Sequence, residues 1–276
     1  MKFTVLGSGS TGNAVLISTE TTRVLVDAGL SAREIVRRLA IVGLECCDLD
    51  AVIVTHEHSD HVGGLRVLLR SLRCPVYISG ATLDAYYWTR AGEFNGESES
   101  LKRREALKDR TVAIESSRDF TIGDIDFEPF SVPHDAVDNF GFIAKNAGVR
   151  IATLTDFGCF TQLIHDKLLG CHAIVVESNH SRDMLRLCPM YTWDLKQRIA
   201  SRKGHLSNED LADWLTNDFD GTASHVVLAH LSQRANEPHL ARLTAEMALK
   251  MRPPLFPVST KISISNHREP TEWYTF

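Results

Sequence analysis

The stretch Thr55–Gly64 reads THEHSDHVGG and follows the apolar run Ala51–Val54. Four side chains of the kinds that bind metals lie within six residues of it: His56, His58, Asp60 and His61. In an extended turn the first two can point the same way, while the last two, leading into a helix, can serve a second cation. Imidazole and carboxylate ligands without thiolate suit zinc, manganese or iron.

Three further ligand-type residues each follow an apolar strand-like run: His134, Asp156 and His230. One loop cannot complete two coordination spheres, so ligands from later strand ends are what a two-metal site requires. Asp156 has two carboxylate oxygens and can bridge two cations, which a histidine cannot do. The pattern predicts a metal site built at the ends of strands.

Residues Gly7–Gly12 match G-x-G-x-x-G, and Asp27 lies about twenty residues further on, as in a dinucleotide site. That site needs a helix to begin at the last glycine, whereas residues 13–19 have the β-branched pattern of a strand. We therefore expect a tight loop whose backbone lies close to a site built by later residues.

Composition is that of an ordinary globular protein, with 43% hydrophobic and 24% charged residues among 276. The six cysteines form no C-x-x-C pair, so we expect reduced thiols and no thiolate zinc site. No apolar run reaches the roughly 18 residues of a membrane span, and the N-terminus lacks a signal-peptide pattern. A cytoplasmic protein without a membrane partner is expected. The net charge of −5 argues weakly against nucleic acid, but two divalent cations would offset most of it.

The order of predicted elements favours one domain over residues 1–276. A β-meander, a helix capped by Ser31 and a helix over 64–72 belong to a first β-rich block. Residues 91–104 are polar and are expected to form a loop or lid. A second strand-rich block begins at Thr111 and is followed by helices, including one over 208–217. Two such blocks suggest two packed sheets with helices outside.

The H-x-H-x-D-H loop with Gly63–Gly64, and the later His134, Asp156 and His230, resemble the metallo-β-lactamase fold family. The resemblance implies an α/β fold, an αββα four-layer sandwich of two mixed sheets with a dinuclear site at one edge. It places one metal on His56, His58 and His134. It places the other on Asp60, His61 and His230, with Asp156 bridging. The ions would be Zn²⁺ or Mn²⁺, with iron as a further option, and Asp27 would support a ligand rather than bind metal.

Five segments together resemble the WalJ/VicX/YycJ-like branch of that family: 7–13, 55–61, 177–180, 204–208 and 228–232. The resemblance implies a cytoplasmic hydrolase, a 5′→3′ DNA exonuclease whose substrate is nucleic acid. Asp60 and His205 are then the predicted catalytic side chains, since a carboxylate can accept a proton and an imidazole can donate one. Supporting roles are predicted for Asn179 and His180. Substrate contacts are predicted for Ser207, Asn208, Arg66 and Arg70.

Two other functions remain open from the residues alone. A small-molecule thioester or lactone hydrolase, or a cyclic phosphodiesterase, needs only the same metal site and would make the arginine clusters incidental. A non-catalytic scaffold is disfavoured because all seven ligand-type positions are present.

Overall fold

The computed structural model describes residues 1–88, 96–116, 118–252 and 258–276. Within them the chain divides into two compact units. The first comprises Met1–Pro129, Ala136–Phe140 and Asn266–Phe276, and the second comprises Phe130–Asp135 and Gly141–Ser265. The single domain expected over 1–276 stays a prediction.

Seven strands form the first sheet. They are β1 (Lys2–Gly7), β2 (Ala14–Ser18), β3 (Arg23–Val26), β4 (Ala51–Ile53), β5 (Val76–Ile78), β6 (Thr111–Ala113) and the last strand of the chain, β14 (Tyr274–Thr275). Their order is β14-β1-β2-β3-β4-β5-β6. Strands β1 to β3 form the predicted antiparallel meander, and β3 to β6 run parallel. The alternating apolar residues of these strands supply the buried core of the first unit.

In the described part of the chain, the α-helices that accompany this sheet are α1 (Ala32–Ile41), α2 (Ser59–Val62), α3 (Leu65–Leu68), α4 (Gly80–Trp88) and α5 (Gly96–Leu107). Helix α1 begins as predicted, because the Ser31 side chain accepts a hydrogen bond from the Glu34 amide. The continuous helix predicted over 64–72 is wrong, because α3 ends at Leu68. The shorter helix α2 begins at Ser59, within the loop 55–61 that carries the predicted ligands and is called the ligand loop below.

The second sheet contains β7 (Phe120–Ile122), β8 (Ile125–Ser131), β9 (Phe140–Asn146), β10 (Val149–Leu154), β11 (Ala173–Glu177), β12 (His225–Ala229) and β13 (Lys261–Ile264). Its order is β13-β12-β11-β10-β9-β8-β7. Strands β10 to β13 run parallel, so the carboxyl ends of β10, β11 and β12 lie at one edge. This edge positions the predicted ligands Asp156 and His230, and the predicted support residues Asn179 and His180 follow β11.

Five helices belong to the second unit: α6 (Gln162–Leu168), α7 (Arg182–Leu187), α8 (Trp193–Ile199), α9 (Asn208–Asn217) and α10 (Pro238–Lys250). Helix α9 has the predicted bounds, with Ser207 as its N-cap. Apolar side chains of α6, α9 and α10 pack with those of β10 to β12 in the core of this unit. Two mixed sheets with helices are thus present, as predicted.

Two expectations for the middle of the chain are wrong. Strand β6 pairs with β5 in the first sheet and does not open the second block. Residues 96–107 form α5 rather than a loop, while 91–95 lie outside the described residues. The polar sequence is helical because acidic residues occupy its first turn and basic residues follow, which suits the helix dipole. The guanidinium groups of Arg103 and Arg104 also lie over the rings of Tyr86 and Tyr87 in α4.

Candidate metal centre

The loop after β4 brings three of its histidines together within the first unit. The His56 ring centroid lies 4.7 Å from that of His58 and 4.0 Å from that of His61. Both His56 and His61 are completely buried, whereas His58 and Asp60 are half-buried. Three adjacent imidazoles with a carboxylate beside them form a donor set that suits a divalent metal.

Asp27 and Thr55 set the orientation of two of these rings. The Nδ1 atom of His61 lies 2.7 Å from Asp27 Oδ2, and that of His56 lies 2.9 Å from Thr55 Oγ1. Thr55 in turn donates its hydroxyl and backbone N–H to the Asp27 carboxylate. A histidine held at Nδ1 presents Nε2 as its ligating nitrogen, the arrangement typical of metal-binding histidines. Asp27 thus contacts His61 directly and His56 through Thr55, and its support role stays a prediction.

The Gly/Ser loop after β1 also reaches this site, as expected. The Asn13 N–H donates to the Asp60 carbonyl at 2.7 Å, and Asn13 Nδ2 lies 3.0 Å from His61 Nε2. The residues that follow form strand β2 and not a helix, which excludes the dinucleotide fingerprint. The sequence had predicted this proximity but had not singled out Asn13.

In the second unit, His134, Asp156 and His230 follow β8, β10 and β12. All three are buried. The His134 Nδ1 atom lies 3.1 Å from the Gly204 carbonyl oxygen, and Asp156 Oδ1 lies 3.2 Å from His230 Nδ1 and 3.9 Å from His134 Nε2. Burial lowers the pKa of His134, so the neutral form that binds metals is favoured.

Glu177 is the residue that the sequence reasoning missed. It ends β11, is completely buried, and its Oε1 lies 2.8 Å from His205 Nδ1 and 2.9 Å from His230 Nδ1. Its second oxygen accepts the backbone N–H groups of Phe157 and Leu206. Glu177 could have been identified by the pattern that singled out Asp156 and His230, namely a metal-ligand type of side chain at the end of an apolar strand.

The charges in this cluster act on one another. Burial opposes ionisation of Glu177, yet the charge and hydrogen bond of His205, with the hydrogen bond of His230, hold the pKa of Glu177 below its usual value. Burial alone would lower the pKa of His205, but the carboxylates of Glu177 and Asp156 raise it. Asp156, Glu177, His205 and His230 therefore form one hydrogen-bonded, electrostatically coupled group.

Three site residues adopt a left-handed backbone conformation that is rare outside glycine. The φ angles are 65° at Asp27, 59° at Asp156 and 54° at His230. Each follows a strand, and each such conformation costs on the order of 1 kcal/mol or more. The chain turns abruptly at these positions, which directs the side chains at the strand ends.

Three of the other predicted residues of the second unit, Asn179, Ser207 and Asn208, have hydrogen-bond partners within it. Asn179 Nδ2 donates to the His230 carbonyl at 2.8 Å, consistent with a support role. His180 is buried, and burial lowers its pKa to about 4. Ser207 caps α9, and the Asn208 side chain is hydrogen-bonded to Ser178 and Asn236. Both are at most 2% exposed, so their substrate contacts stay predictions.

The two arginines predicted to contact substrate differ from each other. Arg66 in α3 forms an ion pair with Glu99 in α5 at 2.7 Å and is only partly exposed. Arg70 lies in the turn after α3 and is exposed. The positive charge of Arg66 is therefore largely compensated within the first unit, and both assignments stay predictions.

The donor chemistry of both units fits divalent metal ions. Five histidines of the candidate site have Nδ1 within hydrogen-bonding distance of a protein oxygen: His56, His61, His134, His205 and His230. Imidazoles and carboxylates whose orientation is fixed in this way are typical of a metal centre. Burying such polar groups costs free energy, and packing alone gives no reason for that cost. All six cysteines are free thiols.

Comparison with known proteins agrees with this fold and chemistry. Residues 22–231 match the β-lactamase superfamily domain. The exodeoxyribonuclease YycJ of Bacillus anthracis is 35% identical over 91% of this chain and 89% of its own length. The exodeoxyribonuclease WalJ of Streptococcus pneumoniae is 35% identical over 88% of this chain and 86% of its own.

Solved structures show the same fold. The metallo-β-lactamase fold protein YhfI of Bacillus subtilis matches with a TM-score of 0.69 and 16% identity, over 98% of this chain and 99% of that one. Zn²⁺-bound PqqB of Methylobacterium extorquens matches with a TM-score of 0.72 and 15% identity, over 99% and 100%.

A metallo-β-lactamase fold with clustered histidine and aspartate side chains that could hold metal ions is that of a metal-dependent hydrolase. The chain belongs to the metallo-β-lactamase superfamily, in the branch of the YycJ and WalJ exodeoxyribonucleases. The predictions of fold, family and a nuclease of this fold are confirmed. The described residues contain no helix long and apolar enough to cross a membrane.

Proposed function

We propose that the chain is a metal-dependent 5′→3′ exonuclease that hydrolyses DNA in the cytoplasm. The observation that carries the proposal is the orientation of five imidazoles by protein oxygens, in a chain 35% identical over most of its length to curated exodeoxyribonucleases. Nucleic acid is the substrate class that these relatives indicate, and DNA is the substrate in their names.

The proposed ligands are those that the family resemblance implies. His56, His58 and His134 would hold one divalent ion; Asp60, His61 and His230 would hold the other, with Asp156 shared. Zn²⁺ and Mn²⁺ both suit these donors. Such ions supply a nucleophile near neutral pH and balance the charge of the phosphate.

His205 differs from the other oriented histidines of its unit because it is partly open to solvent. Its side chain is 23% exposed, against 3% for His230 and 1% for His134. Glu177 fixes the ring at Nδ1 and raises its pKa against the effect of burial, which favours an imidazolium able to donate a proton from Nε2. We assign His205 as the proton donor to the leaving oxygen of the phosphodiester. Asp60, half-buried in the ligand loop, is the proposed acceptor of the nucleophile's proton.

The test is cleavage of DNA and RNA labelled at either end, with Zn²⁺ or Mn²⁺ added. Wild-type protein is expected to release 5′-labelled mononucleotide from DNA first. His58→Ala and Asp156→Ala should remove turnover while the fold is largely kept, since these ligands follow strands. His205→Ala should lower kcat by about 10²- to 10⁴-fold with unchanged metal content.

Two results would contradict the proposal. Full nuclease activity in either ligand variant would show that the assigned residues do not bind the catalytic metals. Turnover of a thioester or lactone without any cleavage of DNA, RNA or a small phosphodiester would favour the small-molecule hydrolase instead.

A further inference from the structure

A surface segment of the second unit, Arg182–Lys203, combines exposed apolar side chains with positive charge. It contains α7, α8 and the turns around them, and only Leu185 and Cys188 within it are buried. Three large apolar side chains in seven residues are instead strongly exposed: Leu187 at 72%, Met190 at 65% and Trp193 at 69%. An exposed apolar cluster of this kind marks a binding surface more often than an isolated exposed residue does.

The charge of the segment is opposite to that of the chain as a whole. Arg182–Lys203 holds six basic and two acidic side chains, whereas the whole chain carries a net charge of −5. Three of the six basic side chains form ion pairs, Arg182 with Asp210, Arg186 with Asp183 and Arg198 with Asp135. Arg202 and Lys203 are exposed, and neither forms an ion pair with another residue that the structure describes. The segment therefore suits a polyanion that also has flat apolar groups.

Two contacts attach the segment to loops of the candidate metal centre in the same unit, and a third is made by the residue directly after it. Tyr191 Oη lies 3.3 Å from Ser232 Oγ, two residues after His230. Arg198 forms an ion pair with Asp135, the residue after His134. Directly after the segment, the Gly204 carbonyl accepts the hydrogen bond from His134 Nδ1 and His205 follows. The exposed cluster thus adjoins the ligand loops rather than a remote face.

We propose that Arg182–Lys203 is a platform for an unpaired nucleotide of the substrate, with a base stacked on Trp193 and the backbone held by the basic side chains. Any base can stack on an exposed aromatic ring, and such stacking is independent of sequence. A paired base keeps both faces in the duplex stack, so the platform selects single-stranded or frayed ends. This inference rests on the proposed nuclease function and specifies its substrate as a strand with unpaired bases.

The test compares two oligonucleotides with phosphorothioate linkages that resist hydrolysis, one of thymidines and one of abasic sites. Their backbone charges are equal and only the first has bases. Metal-loaded wild-type protein should bind the thymidine oligonucleotide at least about fivefold more tightly, the lower end of the effect of one stacked base. Trp193→Ala should reduce that preference to near one, and Trp193→Phe should retain most of it.

Two controls separate stacking from charge and from a general loss of surface aromatics. Trp88→Ala removes another exposed tryptophan, 58% exposed, in the first unit and should leave the preference unchanged. Arg202→Gln combined with Lys203→Gln should weaken binding of both oligonucleotides by the same factor and reduce the salt slope by about one to two.

Equal binding of the two oligonucleotides by wild-type protein, or a preference that survives in Trp193→Ala, would overturn the platform. A dimeric wild-type protein would also overturn it, if Trp193→Ala made the protein monomeric and left the preference for thymidine unchanged. The exposed cluster would then be covered by a second copy of the chain. In these cases cleavage of end-labelled DNA still supports the proposed function. Absence of cleavage of any DNA substrate would instead overturn the proposed function itself.

Discussion

At the scale of single residues, the site depends on carboxylates that orient imidazoles. Asp27 holds His61, and Glu177 holds both His205 and His230. A carboxylate on the far nitrogen fixes the ring and makes its other nitrogen a better ligand or proton donor. Glu177 can be buried as a carboxylate because His205, His230 and two backbone N–H groups donate hydrogen bonds to it.

We expect Glu177→Gln to lower activity or metal affinity by about 10- to 100-fold. Four N–H groups point at this side chain, and an amide offers one acceptor oxygen in place of two. Steady-state kinetics and metal content measure the effect. Glu209→Gln, a half-buried glutamate that accepts the Arg182 N–H, is the matched control and should change activity less than twofold. Wild-type kinetics and metal content in Glu177→Gln would show that the carboxylate does not act through the histidines.

At the scale of elements, close backbone packing in the first unit holds the ligand loop. The Ala28 N–H donates to the His61 carbonyl, and the Gly64 N–H donates to the Ala28 carbonyl, both at 2.8 Å. The loop after β3 and the ligand loop can approach so closely only because Gly29 and Gly64 have no side chains. A Cβ at Gly29 would meet the Asp60 carbonyl, and one at Gly64 would meet the Leu30 carbonyl.

Gly29→Ala should therefore lower the free energy of unfolding by about 1–3 kcal/mol and weaken metal binding, since the loop carrying Asp60 must shift. Chemical denaturation and metal titration measure the two effects. Gly80→Ala is the control, because a Cβ at this first residue of α4 has nothing within 4 Å. A Gly29→Ala variant as stable as Gly80→Ala would show that the loop packing has no such role.

At the scale of the whole molecule, the burial of the proposed ligands leads us to expect that stability depends on bound metal. His56, His61, His134, Asp156 and His230 are all buried. Cations that bind only the folded chain stabilise it in proportion to the logarithm of their concentration, and they also offset the repulsion of neighbouring carboxylates.

Removing the metal with a chelator should lower the melting temperature by about 5–10 °C. This follows from about 2.7 kcal/mol of stabilisation at a free metal concentration of 100 times Kd, and from about 2–4 °C per kcal/mol for a chain of this size. Thermal melts followed by circular dichroism measure the shift. Asp156→Ala should show a smaller dependence on chelator. An identical melting temperature with and without metal would contradict metal binding by the folded chain.

The family and the seven proposed ligands could be predicted from the sequence, because the residues concerned occupy one short loop and the ends of apolar runs, patterns visible within a few residues. It also predicted helix α9 and the meander. Tertiary structure alone decided that Glu177 orients His205 and His230, that β6 and β14 join the first sheet, and that Trp193 stays exposed. The physical reason is separation along the chain: Glu177 meets its partners across 28 and 53 residues, and no local pattern records which strand ends the parallel sheet brings together.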